Sequence, residues 1–291
     1  MPSHKFYMDV PIEVIRSNVA AALEEDLGTG DLHKDLILDD SPVRGTIITR
    51  SSGILCGTAW VNEVYRQVSE EVSVEWIHED GAALNPNDQL ASISGPPSAL
   101  LAAERNALNF LQLLSGTATR TREFVQLIAH TKAKILDSRK TIPGLRLAQK
   151  YAVSVGGGTN HRIGLFDAIL IKENHIAACG GIQSAVYRAR EVHPGVFVEV
   201  EVENTDELVQ AIRSKADRIM LDNFKVLQLR EAVRLARSYS TFADEAIELE
   251  ASGGIDRSNV VQVAETGVDC ISLGTLTNDV ESLDFSFGMS R

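Results

Sequence analysis

The stretch "VFVEVEVENTDELVQAIRSKADRIMLDN", residues 196–223, contains the pattern that decides the fold. Two strand-like runs, "VFVEVEV" and "RIML", flank the segment "TDELVQAIRS", which has the apolar spacing of an amphipathic helix. A strand, a helix and a second strand in this order indicate two parallel strands, because the helix carries the chain back across the sheet. We therefore predict a parallel sheet covered by helices.

The same alternation extends over the chain from about residue 117 onward. The strand candidates there, which helix candidates separate, are "AKILD", "AILI", "VFVEVEV", "RIML", "AIELEA" and "CISLG". They are too few for a closed eight-stranded barrel, so residues 117–276 are predicted to form an incomplete, open α/β barrel. A doubly wound sheet is the alternative.

Residues 1–116 show a different, mixed order of helices and strands. Helical spacing over residues 11–27 is followed by strand-like runs, and a long apolar helix candidate, "SALLAAERNALNFLQLLSG", ends at Gly116. This order is typical of an α+β sandwich, in which helices pack on one side of a sheet. The last segment, residues 277–291, is predicted to return to this N-terminal domain.

The composition excludes several classes of protein. The chain has 291 residues, 44% of them hydrophobic, and a net charge of −12, which disfavours nucleic-acid and membrane partners. It shows neither the apolar core of a signal peptide nor an apolar run of membrane-spanning length, so we expect a cytoplasmic protein. Cys56, Cys179 and Cys270 lie far apart and are predicted to be small buried apolar groups rather than disulfide or zinc ligands.

Polar or glycine residues follow every strand candidate of the predicted barrel. In a parallel α/β barrel the carboxyl ends of all strands open on one face, so we expect these residues to share a pocket. For any single strand, a chance polar end is the alternative. The set consists of Arg139 and Lys140, Lys172 and Glu173, Glu201 and Glu203, Asp222 and Asn223, Ser252 to Gly254, and Ser272 with Gly274.

A block of cations lies within this set. Between Ser138 and Lys172 the chain carries six Lys or Arg residues and a single acid, Asp167. Such a block in an acidic protein indicates a pocket for a small anion, because arginine binds carboxylates or phosphates through two parallel hydrogen bonds. His161, which precedes Arg162, is either part of this pocket or a capped loop residue.

Carboxylates are predicted on the opposite side of the pocket, where Glu201 and Asp222 end successive strand candidates. They suit Mg²⁺ carried by a polyphosphate, or positive charge that develops on a reacting carbon. Salt bridges to the cations opposite are the alternative. Side chains alternate along a strand, so Glu199, Glu201 and Glu203 share a face and spacing does not choose among them.

Two glycine turns follow the last two strand candidates. "ASGGI" and "SLGT" place Ser252, Gly253, Gly254 and Gly274 between a strand and a helix candidate. Backbone N–H groups at such turns bind phosphate, commonly after the last two strands of an α/β barrel. A phosphate site, a cationic cluster and two carboxylates together suit the joining of a phosphorylated sugar to an anionic partner.

The motifs "DSRKTIPGLR", "KYAVSVGGGTNHRIGLFDAILIKENHI", "VEVEVEN", "IMLDNF", "EASGGI" and "ISLGTLT" together resemble those of the quinolinate phosphoribosyltransferase family of NAD biosynthesis. The resemblance extends to "EDLGTGDL" and "GPPSALLAAERNALNFLQLLSGTAT". It implies an N-terminal α/β sandwich, an open barrel of about seven strands, and dimers or larger assemblies. The implied reaction joins quinolinate and phosphoribosyl pyrophosphate, with Mg²⁺, to give nicotinate mononucleotide, pyrophosphate and CO₂.

The resemblance also implies roles for individual residues. Arg105, which faces no acid on its own helix candidate, would reach a quinolinate carboxylate in the neighbouring subunit. Lys140 would lie between the two substrates, and Glu201 and Asp222 would face the ribose and the magnesium pyrophosphate. Arg139, His161, Arg162 and Lys172 would line the quinolinate site, and Ser252, Gly253, Gly254 and Gly274 would hold the 5′-phosphate. Ser138 stands where relatives more often carry Thr; it keeps the hydroxyl and belongs to the substrate-binding set.

Two alternatives stay open at this point. A phosphoribosyltransferase-like protein of molybdenum uptake shares the implied fold, and a panel of substrates separates the two. A non-catalytic protein that binds a phosphorylated metabolite would bind its ligand without releasing pyrophosphate. The complete set of Lys140, Glu201 and Asp222 argues against this second alternative.

Overall fold

The computed structural model describes residues 7–240 and 247–290. The first six residues, the last residue of the tail and residues 241–246, which include the start of the predicted strand "AIELEA", lie outside these ranges. The chain divides into two compact units. The first unit consists of Met1–Arg122, Thr141–Gly157 and Thr275–Arg291, and the second consists of Glu123–Lys140 and Gly158–Gly274.

The described residues form short strands and mostly longer helices. The strands are β1 (Val43–Thr49), β2 (Gly53–Ile54), β3 (Ser73–Trp76), β4 (Ala83–Leu84), β5 (Gln89–Gly95), β6 (Lys134–Leu136), β7 (Ile169–Ile171), β8 (Val198–Val202), β9 (Arg218–Asp222), β10 (Glu248–Ser252), β11 (Cys270–Ser272) and β12 (Phe285–Ser290). The α-helices are α1 (Ile12–Leu27), α2 (Thr58–Val68), α3 (Pro97–Leu127), α4 (Arg146–Gly156), α5 (Glu173–Cys179), α6 (Ile182–Val192), α7 (Thr205–Arg213), α8 (Val226–Ser240), α9 (Val260–Ala264) and α10 (Thr275–Asn278).

The second unit is built on a parallel sheet in the order β6–β11–β10–β9–β8–β7. Strands β7 to β11 follow one another in chain order, and the first strand of the unit, β6, pairs with the last, β11. A doubly wound sheet would instead reverse its strand order in the middle. Across the described residues no ladder joins β6 to β7. The prediction of an open, barrel-type α/β fold is confirmed.

The seventh strand that the resemblance implied is reduced to a single bridge between Leu136 and Thr159. The Thr159 N–H donates to the carbonyl of Ile135 at 2.8 Å. Two residues later the side chain of Asp137 accepts the N–H of His161 at 2.8 Å, so that backbone group is lost to the ladder. The described sheet therefore has six strands, and His161 is fixed at the end of β6.

The boundary between β8 and α7 shows how the sequence places its acids. The three valines of β8 are fully buried, as expected for a strand covered on both faces. Asn204 caps α7 by accepting the N–H of Glu207 at 3.0 Å, and the Glu207 carboxylate accepts the N–H of Glu203 at 2.9 Å. These two hydrogen bonds end the strand, so that Glu201 lies near its last residue, at the carboxyl edge of the sheet.

The first unit contains an antiparallel sheet in the order β12–β1–β5–β3 and a smaller pair, β2–β4. Strand β12, near the end of the chain, pairs with β1 so that Phe287 lies opposite Ile47. Helix α4 contributes Ala148, Ala152 and Val155 to the apolar core of this unit. The unit is thus completed by segments from three separate parts of the chain.

Helix α3 spans Pro97–Leu127, so the predicted helix end at Gly116 is wrong. A Cβ atom at Gly116 would lie 2.2 Å from the carbonyl oxygen of Glu281. Glycine is required there by the close approach of another segment of the first unit, and not because the helix stops. The residues on either side of the predicted domain boundary, 116 and 117, belong to the same helix.

The exposure of the cysteines agrees with the prediction in two cases of three. Cys56 and Cys270 are buried, as predicted, and Cys179 is exposed because it ends the short helix α5, in which no residue is buried. The described ranges contain no helix that is both long and apolar enough to cross a membrane.

Candidate active site

A cavity of about 480 Å³ opens at the carboxyl ends of the strands of the second unit. Its position follows from the parallel sheet, since every strand ends on the same face. The predicted residues that do not line it are Arg105, Glu173, Glu203 and Gly254. Those that do are Ser138, Arg139, Lys140, His161, Arg162, Lys172, Glu201, Asp222, Asn223, Ser252, Gly253, Ser272 and Gly274.

Two guanidinium groups form the cationic side of the cavity. The Ser138 hydroxyl accepts the N–H of Lys140 at 3.1 Å and so tightens the turn that carries Arg139. Arg162 donates to the carbonyl of Ala168 at 3.2 Å. Burial, together with the neighbouring charge of Arg139, lowers the pKa of Arg162. Because an arginine in a protein stays protonated, this crowding favours an anion that compensates both charges.

The acidic side of the cavity is formed by Glu201 and Asp222. Glu201 is paired with the ammonium group of Lys172, so the salt-bridge alternative describes one of its contacts. Oδ2 of Asp222 accepts the side-chain amide of Asn223 at 2.8 Å, which holds the carboxylate in place. The Lys172–Glu201 pair therefore joins the cationic and the acidic sides.

The structure separates the three glutamates that the alternation could not distinguish. Glu201 lines the cavity. Glu199 lies deeper, with 2% of its surface exposed, and faces His161. Glu203 is exposed at the start of α7, where its backbone supports the helix cap.

The imidazole of His161 is buried, and both of its nitrogens face protein groups. Nδ1 accepts the backbone N–H of Arg162 at 2.7 Å. Nε2 lies 2.9 Å from Oε2 of Glu199 and 3.6 Å from Oε2 of Glu250. In this arrangement the imidazole holds the backbone beside Arg162 and does not direct a nitrogen at a ligand in the cavity.

Two buried carboxyl groups under the cavity were missed as site residues. Burial raises the pKa of Glu199 to about 7, and burial together with the charge of Glu199 raises the pKa of Glu250 to about 8. The sequence does carry a signal for them, because each glutamate is flanked by apolar residues within a buried strand, in "VEVEV" and "IELEA". The alternation along β8 offered Glu199 only as an alternative to Glu201, and no motif indicated Glu250.

The turn after β10 requires glycine because Asn223 approaches it closely. Gly253 has φ of +89°, and a Cβ atom there would lie 2.3 Å from Oδ1 of Asn223. Helix α9 begins only at Val260. The predicted glycine turn is therefore present after β10, but no helix N-terminus directly adjoins it. Only the backbone of the turn is left to bind a phosphate there.

Arg105 lies elsewhere in the chain, in a cleft of the first unit of about 270 Å³. Helical spacing places no acid opposite Arg105 on its own helix. The same cleft, however, contains Glu25 and Asp26 from α1, and Asp26 accepts the side-chain amide of Asn106 at 3.0 Å. Acids from another helix of the unit are thus near this arginine.

Comparison with protein families gives matches over nearly the whole chain. The model of the quinolinate phosphoribosyl transferase C-terminal domain matches residues 117–288, and that of the N-terminal domain matches residues 26–115. These are the two parts of the chain in which the motifs of the resemblance lie. The family prediction made from those motifs is confirmed.

Individual relatives agree with the family models. The chain is 43% identical over 267 residues to the probable nicotinate-nucleotide pyrophosphorylase (carboxylating) of Bacillus subtilis, which covers 91% of this chain and 90% of the relative. It is 37% identical over 292 residues to the Mycobacterium leprae enzyme of that name, at 97% and 99% coverage. The solved structure of the Francisella tularensis nicotinate-nucleotide pyrophosphorylase superposes with a TM-score of 0.92 at 46% identity, over 97% of this chain and 98% of that one. The chain belongs to the quinolinate phosphoribosyl transferase family.

Proposed function

We propose that this protein transfers the phosphoribosyl group of phosphoribosyl pyrophosphate to quinolinate and releases pyrophosphate and CO₂, which leaves nicotinate mononucleotide. One observation carries the proposal: a single cavity is lined both by the guanidinium groups of Arg139 and Arg162 and by the carboxylates of Glu201 and Asp222. A dicarboxylate needs the arginines, and a sugar carbon that becomes positive needs the carboxylates. The names of the relatives, which include the word carboxylating, support the same reaction.

The cationic side accounts for the choice of a dicarboxylate. Removing each carboxylate of quinolinate from water costs roughly several kcal/mol unless a cation compensates it. Arg139 and Arg162 supply two guanidinium groups, and the crowding of Arg162 is relieved when an anion binds between them. Lys140 lines the same cavity on the turn beside Arg139 and would contact both substrates.

The acidic side accounts for the transfer step. Departure of pyrophosphate leaves positive character on the ribose carbon, which the carboxylates of Glu201 and Asp222 stabilise electrostatically. The pyridine nitrogen then bonds to that carbon, and its new positive charge makes loss of the adjacent carboxylate as CO₂ easier because it stabilises the electron pair left on the ring carbon. A proton from water then takes the place of the lost carboxylate on that carbon. Lys172 pairs with Glu201 and is placed to share its charge between this carboxylate and a substrate anion.

Mg²⁺ and the 5′-phosphate fit the remaining polar groups. Carboxylate oxygens are the ligands that Mg²⁺ prefers, and Glu201 and Asp222 suit an ion that arrives bound to the pyrophosphate and shields its charge on departure. Ser252, Gly253 and Gly274 line the cavity at the ends of β10 and β11 and suit the 5′-phosphate. Gly254 would assist through the conformation of the turn, since it has a positive φ of +61° but does not line the cavity.

We also infer a homodimer, or a larger assembly, in which Arg105 of one subunit completes the quinolinate site of its neighbour. Arg105 is exposed and lines no part of the cavity in its own second unit. We expect this enzyme to act in the cytoplasm.

The test of this function is a direct assay. The protein is incubated with quinolinate labelled in the 2-carboxylate, phosphoribosyl pyrophosphate and Mg²⁺, and nicotinate mononucleotide, pyrophosphate and labelled CO₂ are measured. We expect equal amounts of all three, their loss in Lys140→Ala, and no effect of Lys132→Ala, a matched change at an exposed lysine outside the cavity. Ligand binding without pyrophosphate release would instead support a non-catalytic binding protein.

A further inference from the structure

A buried layer of charged groups lies beneath the cavity of the second unit. Glu199 on β8, Arg218 on β9 and Glu250 on β10 are neighbours across three adjacent parallel strands. Glu199 and Glu250 are 2% and 0% exposed, and His161 above them is 8% exposed. Nη1 of Arg218 lies 3.4 Å from Oε2 of Glu250. These groups are close enough for the protonation of one to affect the others.

The charges of this layer do not balance if both carboxyl groups are ionised. Arg218 is the cation between them, and its Nη2 is already bound to Glu248 at 2.7 Å. Since Nδ1 of His161 accepts the N–H of Arg162, the ring proton of the neutral imidazole must lie on Nε2, which faces Glu199. The carboxyl groups of Glu199 and Glu250 are both buried and present oxygen atoms within 4.8 Å of one another, so their two negative charges oppose each other. Glu250 is the more deeply buried and has the higher pKa, and it is therefore the group that carries a proton at neutral pH.

We propose that Glu250 is a positioning residue for the anion site: its protonated carboxyl group keeps Glu199 and His161 in place and withholds a second negative charge from beneath the bound dicarboxylate. The inference rests on the proposed function, because quinolinate is the dicarboxylate meant. Burial raises the pKa of Glu250 to about 8, so that the proton is held at neutral pH.

Other groups near Glu250 do not reproduce its effect. Cys270, directly beside it on β11, has its pKa raised by burial to about 12 and stays neutral below that pH. The hydroxyl of Ser272 is uncharged and forms a hydrogen bond with the Glu250 carboxylate. The charged or titratable groups that face Glu250 from its own and the adjoining elements are His161, Glu199, Arg218, Glu248 and Cys270.

The three side chains His161, Glu199 and Glu250 also present donor atoms within 4.8 Å of one another, a spacing that a metal ion could use. Two contacts oppose that use. Nε2 of His161 and Oε2 of Glu199 are 2.9 Å apart, which leaves little room for an ion between them, and the guanidinium of Arg218 adjoins the third ligand. A cation placed there would lie against a fixed positive charge.

Loss of the Glu250 proton would weaken quinolinate binding. Above the pKa of Glu250 the floor of the cavity gains one negative charge, which repels the dianion and partly cancels Arg139 and Arg162. Two unit charges as far apart as about 12 Å, at an effective dielectric constant of about 20, change the affinity roughly tenfold, which becomes an increase of about fivefold in Kd between pH 7 and pH 9.

The experiment measures the Kd of quinolinate by calorimetry at pH 7 and pH 9. We expect a ratio of about five in the wild-type protein and a distinctly smaller ratio in Glu250→Gln, in which Glu199 is left as the buried carboxyl group that loses a proton over this range. Glu248→Gln is the matched control: it lies on the same strand and binds the same arginine, but does not line the cavity, and it should keep the wild-type ratio. The inference is overturned if Glu250→Gln keeps the wild-type ratio.

A second measurement needs no variant and so does not depend on its folding. Binding at pH 8, measured in buffers of different ionisation enthalpy, should take up about 0.4 proton per site, because the dianion raises the affinity of Glu250 for its proton. No uptake would overturn the inference while leaving the proposed function intact. If the wild-type protein binds no quinolinate at either pH, the proposed function and the inference fail together.

Discussion

Replacing Gly253 by alanine tests whether the turn after β10 holds a phosphate through its backbone. Gly253 has φ of +89°, and an added Cβ atom would lie 2.3 Å from Oδ1 of Asn223 and 3.0 Å from its backbone nitrogen. Gly254 is the natural control, because it has φ of +61° and no atom within 4 Å of an added Cβ. Both substitutions strain the backbone, but only Gly253→Ala displaces Asn223.

The two costs can be separated. An alanine in the left-handed region costs about 1–2 kcal/mol, and both variants carry this cost. Gly253→Ala must also move Asn223, whose side-chain amide donates to Asp222 at 2.8 Å. Losing a hydrogen bond to a charged group costs about 1.5–3 kcal/mol. The total is about 3–5 kcal/mol for Gly253→Ala and about 1–2 kcal/mol for Gly254→Ala.

The assay compares the two variants in initial rates with phosphoribosyl pyrophosphate varied and quinolinate saturating. We expect Gly253→Ala to raise the KM for phosphoribosyl pyrophosphate at least about tenfold, to lower kcat because Asp222 loses its support, and to lower the apparent Tm by about 6 °C or more. Gly254→Ala should change each value less, and the Kd of quinolinate should stay near its wild-type value in both. If Gly254→Ala raises this KM as much as Gly253→Ala, the displacement of Asn223 is not what matters and the reasoning fails.

Three further predictions concern the cavity. Glu201→Gln should lower kcat by about 100-fold or more while the Kd of quinolinate changes less, because its charge acts where positive character develops; pre-steady-state product formation and calorimetry check the two effects. Nicotinate, which lacks the second carboxylate, should hardly react, because Arg139 and Arg162 together suit a dicarboxylate; equal turnover of nicotinate and quinolinate would contradict the dicarboxylate site. Arg105→Ala should be inactive with quinolinate but regain part of its activity when mixed with Lys140→Ala, once mass spectrometry has shown subunit exchange; mixed dimers without activity would assign Arg105 to its own chain.

The class of fold could be predicted because it depends on a repeated pattern. Alternating apolar strands and amphipathic helices specify a parallel sheet wherever they occur, and the missing strands indicated an open one. Details that depend on one close contact could not be predicted in the same way. Gly116 has the appearance of a helix end, yet its role is to admit the carbonyl of Glu281 from a segment far along the chain. Sequence spacing does not record such an approach.

The polar residues of the cavity could be predicted because each follows a strand, and parallel strands end together. The buried layer beneath them could not, because an alternating strand shows which residues share a face but not how deep each lies. Glu199 and Glu201 differ by one repeat of the pleat, about 7 Å along the strand. That step separates a carboxyl group enclosed against His161 from one that lines the cavity beside Lys172. Depth within the sheet, set by the neighbouring strands β9 and β10, thus decides which acid meets the substrates and which one fixes the residues that do.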